Sequence, residues 1–291
     1  MADNRRRYLA QQAELGSDEV VLDVPLHELW ARAKPVVPAP ASPTMIREST
    51  VVPGEAVRPT ARPPVRPTPS TGSVPIDDAL WRKNAPPIPG DGMVLESPPL
   101  LVQPPALVAL DSLVEVARLI SKCRQCGLCE GRKNTVPGEG DPAARLMFVG
   151  EGPGATEDET GRPFVGAAGD LLTRMIGSIG LAREAVFIAN IVKCRPPQNR
   201  KPLPDEVAAC LPYLHRQITL VKPKVLVALG GTAAESLMGV RQALGALRGR
   251  VHHYDGIPLV VTYHPAALLR NPNWKKPTWD DIRIARQLLD R

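Results

Sequence analysis

The run Arg145-Leu146-Met147-Phe148-Val149-Gly150-Glu151-Gly152-Pro153-Gly154-Ala155-Thr156-Glu157 is where the chain becomes readable. Its first part is apolar, β-branched and aromatic, and glycine stops it at once, which reads as a buried strand running into a tight turn. The turn alternates glycines with one acid, Glu151. Bare glycine backbone bends sharply and lets a flat ligand approach its amides closely. A carboxylate just past the end of a parallel strand lies where open α/β sheets bind their ligands. An ordinary Gly-Pro turn with a solvated acid is the competing reading, and only the rest of the chain separates the two.

Three further apolar runs follow: Val186 to Val192, Lys224 to Leu229 and Leu259 to Thr262. Between them lie helical patterns. Gly166 to Gly180 carries Leu171, Leu172, Met175, Ile176 and Ile179 at helical spacing; Pro204 to Val221 begins with Pro and Asp and is expected to kink at Pro212. A helix leaves Gly230-Gly231 and runs through Met238, and Thr278 to Asp290 closes the chain as another. Upstream, Leu107 to Lys122 reads as one amphipathic helix delivering the chain to Cys123. Strands alternating with helices predict an α/β fold with a parallel sheet covered on both faces.

The 291 residues are 43% hydrophobic, enough for a sizeable core, yet 33 are proline and most of those lie early. From Lys34 to about Pro105 the composition is Pro, Val, Ala, Arg, Ser and Thr, which disfavours helices and central strands. Residues 1–106 are therefore expected to form a disordered, Pro-rich extension, dispensable for chemistry, and residues 107–291 the functional domain. One amphipathic piece, Pro25 to Arg32, is a candidate docking helix for an unidentified protein. A net charge of +6 and a pI near 9.2 favour a polyanionic partner such as nucleic acid. No apolar run approaches the roughly 18–20 residues of a membrane span, and Arg5-Arg6-Arg7 is not followed by the apolar core of a signal peptide. A cytoplasmic, monomeric protein is the expectation.

Chemistry-bearing groups cluster at the strand ends. Glu151 follows the first strand, Asn190 ends the second and His264 follows the fourth, so a parallel sheet would bring all three to one rim. Taken singly, each has a bland reading as a core amide, a capped histidine or a surface acid. Together, and with Phe164, they outline a pocket for a planar polar ring: the amide offers donors and an acceptor, the phenyl a stacking face. The five cysteines are Cys123, Cys126, Cys129, Cys194 and Cys210. Four of these thiolates can meet at one site, and zinc or an iron–sulfur cluster satisfies the spacing equally.

Four motifs in order, Gly150-Glu151-Gly152-Pro153-Gly154, Gly161-Arg162-Pro163-Phe164-Val165-Gly166, Asn190-Ile191-Val192-Lys193-Cys194-Arg195-Pro196-Pro197 and His264-Pro265-Ala266-Ala267-Leu268-Leu269-Arg270-Asn271-Pro272, resemble the family 4, iron–sulfur uracil-DNA glycosylases. The likeness runs from about Leu113 to the C-terminus. It implies a three-layer α/β/α sandwich on a four-stranded parallel sheet, and a [4Fe–4S] cluster on Cys123, Cys126, Cys194 and Cys210, with Cys129 left over as a spare thiol. By the same likeness the enzyme flips uracil out of double- or single-stranded DNA and hydrolyses its N-glycosidic bond, the opening step of base excision repair. Phe164 would stack on the base, Asn190 would read its O4/N3 edge, Gly152 would line the site, and Glu157 would stand near C5 against a thymine methyl. His264 would stabilise charge on O2, Glu151 would handle the water, and Leu268-Leu269-Arg270 would wedge and anchor the DNA. Relatives that trap the sugar covalently carry an extra His in a basic loop after the second strand. Here that loop, Cys194 to Pro204, has none, which resembles the hydrolytic type. Two other classes compete: a non-catalytic nucleic-acid module keeping fold and cluster, and a zinc-stabilised hydrolase of free nucleotides. The trio of Glu151, Asn190 and His264 argues against the first, and the Leu-Leu-Arg loop and basic charge against the second.

Overall fold

The structure is a computed structural model and describes residues 81–95 and 105–291. The candidate docking helix at Pro25–Arg32, and most of the proline-rich extension, lie outside the described residues. The described part holds seven strands, β1 (Asp91–Leu95), β2 (Glu139–Gly140), β3 (Leu146–Gly150), β4 (Phe187–Asn190), β5 (Val225–Leu229), β6 (Val251–Tyr254) and β7 (Ile257–Thr262). Its ten α-helices are α1 (Pro105–Val108), α2 (Leu113–Ser121), α3 (Leu128–Gly131), α4 (Ala155–Thr160), α5 (Ala167–Ser178), α6 (Pro204–Val221), α7 (Gly231–Met238), α8 (Leu244–Leu247), α9 (Pro265–Arg270) and α10 (Lys275–Leu289). Among the described residues no helix is long and apolar enough to cross a membrane.

All strands join one sheet in the order β1-β6-β7-β5-β3-β4-β2. The four strands expected from sequence are its contiguous centre, β7-β5-β3-β4, parallel throughout. The expected total of four is corrected to seven, because the three outer strands, β1, β6 and β2, carry no continuous apolar run. β2 is two residues long and antiparallel to β4. β6 contains two histidines, and it turns back onto β7 through Asp255-Gly256, both at positive φ (48° and 76°), the tight hairpin turn an Asp-Gly pair favours. β1 comes from the proline-rich stretch itself and pairs parallel to β6. His252 reinforces that pairing: its Nδ1 accepts the Met93 backbone N–H at 3.0 Å, and its Nε2 lies 2.7 Å from the Leu247 carbonyl, to which it donates.

Residues 81–95 therefore belong to the ordered unit, contrary to an extension running to residue 106. Trp81 is buried, with the guanidinium groups of Arg82 and Arg286 over its ring at 5.1 and 4.9 Å. From α10, Arg283 donates to the Lys83 and Asn84 carbonyls and Gln287 to that of Pro86. A single tryptophan and a five-residue strand, tied down by distant partners, are invisible to a composition argument.

The central strands alternate their side chains between two cores. Met147, Val149, Leu226, Ala228 and Val261 face α2, α6 and α7, which supply Val116, Ile120, Leu214, Ile218 and Leu237. Leu146, Phe148, Ile188, Val227 and Val260 face α5 and α10, with Leu172, Ile176, Ile282 and Ala285. Both faces are covered, as continuous apolar runs in parallel strands require. The helix expected over 107–122 is two, α1 and α2. Ser112 caps α2: its hydroxyl accepts from the Glu115 N–H at 3.3 Å and donates back to the Glu115 carboxylate at 3.0 Å. By contrast α6 begins and ends at the expected residues and runs unbroken through Pro212.

Candidate active site and thiol centre

A cavity of about 370 Å³ opens at the carboxyl ends of β3, β4 and β7. Glu151, Gly152, Glu157, Phe164, Asn190, His264 and Arg270 all line it, so seven of the nine residues expected in the pocket or on DNA converge. The register explains this. Gly150 pairs with Asn190 at the last rung of β3 and β4. The clasp continues past the sheet, with the Ile191 N–H donating to the Gly150 carbonyl and the Val192 N–H to that of Glu151. Leu268 does not join them. It is buried with Pro265 on the inner side of α9, while Leu269 and Arg270 are exposed. Of the three residues expected to wedge and anchor DNA, only these two are exposed.

Gly150 is a glycine for close approach. A Cβ there would lie 2.4 Å from Asn190 Oδ1 and 2.5 Å from Phe164 Cζ, so any side chain would push the amide and the ring apart. Asn190 is buried, and its Oδ1 has no hydrogen-bond partner among the described residues. An unsatisfied buried acceptor costs about 1–3 kcal/mol, so a pocket that keeps one is prepared for a donor from outside.

Phe164 sits at φ 51°, a left-handed conformation rare for a bulky residue. Its neighbours hold it there. Arg183 donates to the Pro163 carbonyl at 2.6 Å, and Glu157 Oε1 accepts the Val165 and Gly166 N–H groups at 3.0 and 3.2 Å. Glu157 Oε2 also accepts the Gly154 N–H at 3.1 Å. One carboxylate thus ties the Gly-Glu-Gly turn to the Phe164 loop. Strain of this kind persists only where surroundings over-determine it, and it concentrates at functional sites.

His264 caps α9, its Nδ1 accepting the Ala266 N–H at 3.1 Å. Its ring lies 5.5 Å from that of Phe164, tilted 31°. Burial, and then the positive charge of Arg270, push its pKa down to about 4, against a smaller opposing pull from Glu157. The imidazole is neutral at physiological pH. With Nδ1 accepting, its one proton is on Nε2.

Two polar lining residues escaped sequence reading, Asn199 and Arg200. They lie in the loop after β4, where Gln198 and Asn199 both adopt φ 56°. The signal was an Asn inside a proline-rich turn, since Asn tolerates the left-handed region. Arg200 is braced by a forked pair of bonds to Glu206, 2.8 and 2.7 Å, and this partner first of all lowers the Glu206 pKa.

Behind the pocket all five cysteines line one small second cavity, and none is disulfide-bonded. Burial above all raises the thiol pKa of Cys126 to about 11 and of Cys210 to about 12, and raises that of Cys194 as well. Donors gather at the sulfurs: the Lys193 backbone N–H at Cys210 Sγ (3.2 Å), Arg132 at Cys194 Sγ (3.1 Å), the Leu128 backbone N–H at Cys126 and the Tyr213 hydroxyl at Cys123. Arg132 also donates to the Ser121 and Cys123 carbonyls, spanning the mouth of the cavity. The Lys193 ammonium is wholly buried and turns the other way, donating to the Asn190 carbonyl at 2.8 Å and to Gln217 Oε1 at 2.7 Å. Among the described residues no group of three or more His, Cys, Asp or Glu is arranged to hold a metal ion.

A family profile described as the uracil DNA glycosylase superfamily matches residues 137–283. The chain is 50% identical over 178 residues to a type-4 uracil-DNA glycosylase of Sulfurisphaera tokodaii, covering 58% of this chain and 81% of that one. It is 42% identical over 174 residues to the type-4 enzyme of Archaeoglobus fulgidus, covering 57% and 87%. Likeness to a type-5 uracil-DNA glycosylase of Thermus thermophilus is weaker, 35% over 149 residues, or 44% and 68%. With its pocket at the matched motifs, this chain belongs to the uracil-DNA glycosylase superfamily, in the type-4 family.

Proposed function

We propose that the rim pocket takes uracil flipped from DNA and hydrolyses its bond to the sugar. The observation that carries this reading is the orphaned acceptor on Asn190 beside a strained phenyl ring. Uracil N3–H would donate to Asn190 Oδ1 while the amide nitrogen donates to O4, and the ring would stack on Phe164. Cytosine presents the reverse pattern on that edge. Mispairing of a buried amide costs about 1–3 kcal/mol, roughly a 5- to 150-fold preference. Flipping itself costs a few kcal/mol, least at a mismatch or in a single strand.

As the C1′–N1 bond breaks, its electrons pass into the uracil ring and negative charge gathers on O2. The proton held on His264 Nε2 by the Ala266 bond makes that nitrogen the donor to O2. A neutral donor suits this task, since an imidazolium would have to be kept charged against burial. Glu151 orients water toward the cationic sugar carbon and takes its proton as the new C–O bond forms. Glu157, its oxygens committed to backbone N–H groups, supports the wall facing C5. Leu269 and Arg270 meet the DNA at the rim.

The thiols around the second cavity have the chemistry to hold an iron–sulfur cluster on Cys123, Cys126, Cys194 and Cys210. These ligands are soft, N–H and O–H groups already aim at the sulfurs, and Arg132 and Lys193 place positive charge beside an anionic group. A cluster needs one thiolate per iron corner and no convergence of three ligands on a single point. Bound there, it would brace the Cys194 loop against α6.

Single-turnover release on U·G and C·G duplexes tests the reading. Asn190→Asp replaces the amide donor by an acceptor, and should slow uracil release by on the order of 10-fold or more while narrowing the gap to cytosine. An unaltered rate and selectivity would show that another group reads the base.

A further inference from the structure

Next to the pocket stands a column of side chains that the chemistry above does not use. Tyr263, immediately before His264, stacks on Trp274 with ring centroids 4.6 Å apart and planes within 4°. The guanidinium of Arg248 lies 4.3 Å from the Tyr263 ring centre. Arg248 is itself fixed, its Nε and Nη2 bonding Asp281 Oδ2 at 2.9 and 2.7 Å. Asp281 also accepts from Thr262 at 2.6 Å. The order is Asp281, Arg248, Tyr263, Trp274, and it runs from the buried interior to the surface.

The outer end is open. Trp274 keeps 37% of its surface exposed although Tyr263 covers one side of its indole. Its surroundings are basic: Arg270, Lys275 and Lys276 are exposed, and the nearby acids are engaged, Asp280 by Lys276 and Arg283 and Asp281 by Arg248. A rigid aromatic face amid unbalanced positive charge is the arrangement that binds nucleic acid by base stacking and phosphate attraction. Position agrees. Trp274 is four residues beyond Arg270, which lines the pocket, so the two backbones are at most about 14 Å apart. That is roughly four base steps along a strand.

We propose that Trp274 is a stacking platform for a nucleobase of the DNA strand within a few nucleotides of the flipped uracil. The proposal rests on the uracil-DNA reading for its partner, but not on the pocket chemistry. The column below Trp274 is pre-ordered, so a base would add one more layer with little further ordering. Recognition is by ring face and ignores sequence, because every base has one.

The test uses the full chain, a uracil-free oligothymidine as probe, and single- and double-stranded uracil oligonucleotides for release. Trp274→Ala should weaken oligothymidine binding by about 5- to 100-fold, as loss of one base stack does, and Trp274→Phe should restore most of it. The slope of log affinity against log salt should stay that of the parent in Trp274→Ala. In Lys275→Gln/Lys276→Gln it should fall, by up to about 1.4 for two lost single-strand phosphate contacts. Release at saturating DNA should remain within about 2-fold in both variants, and the parent's tryptophan emission should be quenched by oligothymidine more than that of Trp274→Phe. Unchanged affinity in Trp274→Ala, or a loss accompanied by a change in salt slope, would overturn the platform. Should Trp274→Ala fail to fold, the quenching difference in Trp274→Phe decides alone. A parent that binds oligothymidine through Trp274 but releases no uracil would sink the pocket reading and leave the platform standing.

Discussion

The rim pocket and the thiol cavity are built on opposite plans, though one residue touches both. The pocket is open and leaves work undone: Asn190 Oδ1 lacks a partner and Phe164 is held at a strained φ. In the thiol cavity Cys194 and Cys210 are buried and N–H groups point inward at both sulfurs. Lys193 links them, its backbone N–H on Cys210 and its buried ammonium on the Asn190 carbonyl. The contrast separates a site that must receive and release a ligand from one that holds its occupant. In the proposed reading the unsatisfied groups gain their partners from a passing base, whereas the gathered thiols, Cys123 and Cys126 half-buried and Cys194 and Cys210 buried, keep a permanent guest.

The largest effect should come from the pocket. In the proposed mechanism His264→Ala removes an interaction made only as O2 becomes charged, so single-turnover release should fall by on the order of 10²-fold or more. Affinity for uracil DNA should barely move, because phosphate contacts dominate it. A matching loss of affinity would show that His264 binds substrate instead.

The same residue sets a pH signature. The folded pKa of His264 is lowered to about 4, so between that value and the ordinary range near 6.5 the unfolded chain binds more protons than the native one. Stability from this group is complete above about 6.5 and is lost as pH falls toward 4. His215, lowered to about 4 chiefly by burial, adds in the same direction. Melting temperature should therefore fall steadily between pH 6.5 and 4. Release should stay flat in His264 protonation down to about pH 5; a step near 6.5 assigned to His264 by its loss in His264→Gln would contradict the neutral imidazole.

In the thiol cavity the expected outcome is all or none for iron and smaller for rate. Cys194→Ser should lose the bound iron and its broad visible absorbance, and Cys129→Ser should keep both. Iron retained in the first, or lost from the second, would reassign the ligands. Zinc in place of iron in anaerobically prepared protein would discard the cluster.

The smallest effect concerns the chain's front. Removing residues 1–80 should leave release within a few-fold. Extending the cut to residue 104 also removes Trp81 and β1, and burial worth about 3 kcal/mol predicts a melting temperature roughly 6–12 °C lower. Equal stability in the two truncations would mean that β1 adds nothing to the sheet.

The sequence alone determined the central sheet and the identity of the pocket's groups. Four apolar runs set between helical patterns read as strands buried on both faces, and strand ends in a parallel sheet share one rim, so Glu151, Asn190 and His264 were expected to meet. Local chemistry also marked α6 from its proline start to Val221. Tertiary structure decided what no local pattern encodes. β6 is a strand because it folds back onto β7 through the Asp255-Gly256 turn, and β1 because β6 offers it a free edge, with His252 adding a bond to Met93. Leu268 turns inward with Pro265 on the buried side of α9. Glu157 is a tie between two loops, Lys193 a link between two cavities and Trp274 the end of a stacked column, because each depends on partners distant in the chain or on the direction a side chain takes once packed. Pattern specifies which faces are apolar; only packing specifies which polar atoms are left without partners, and Asn190 Oδ1, at the pocket, is one of them.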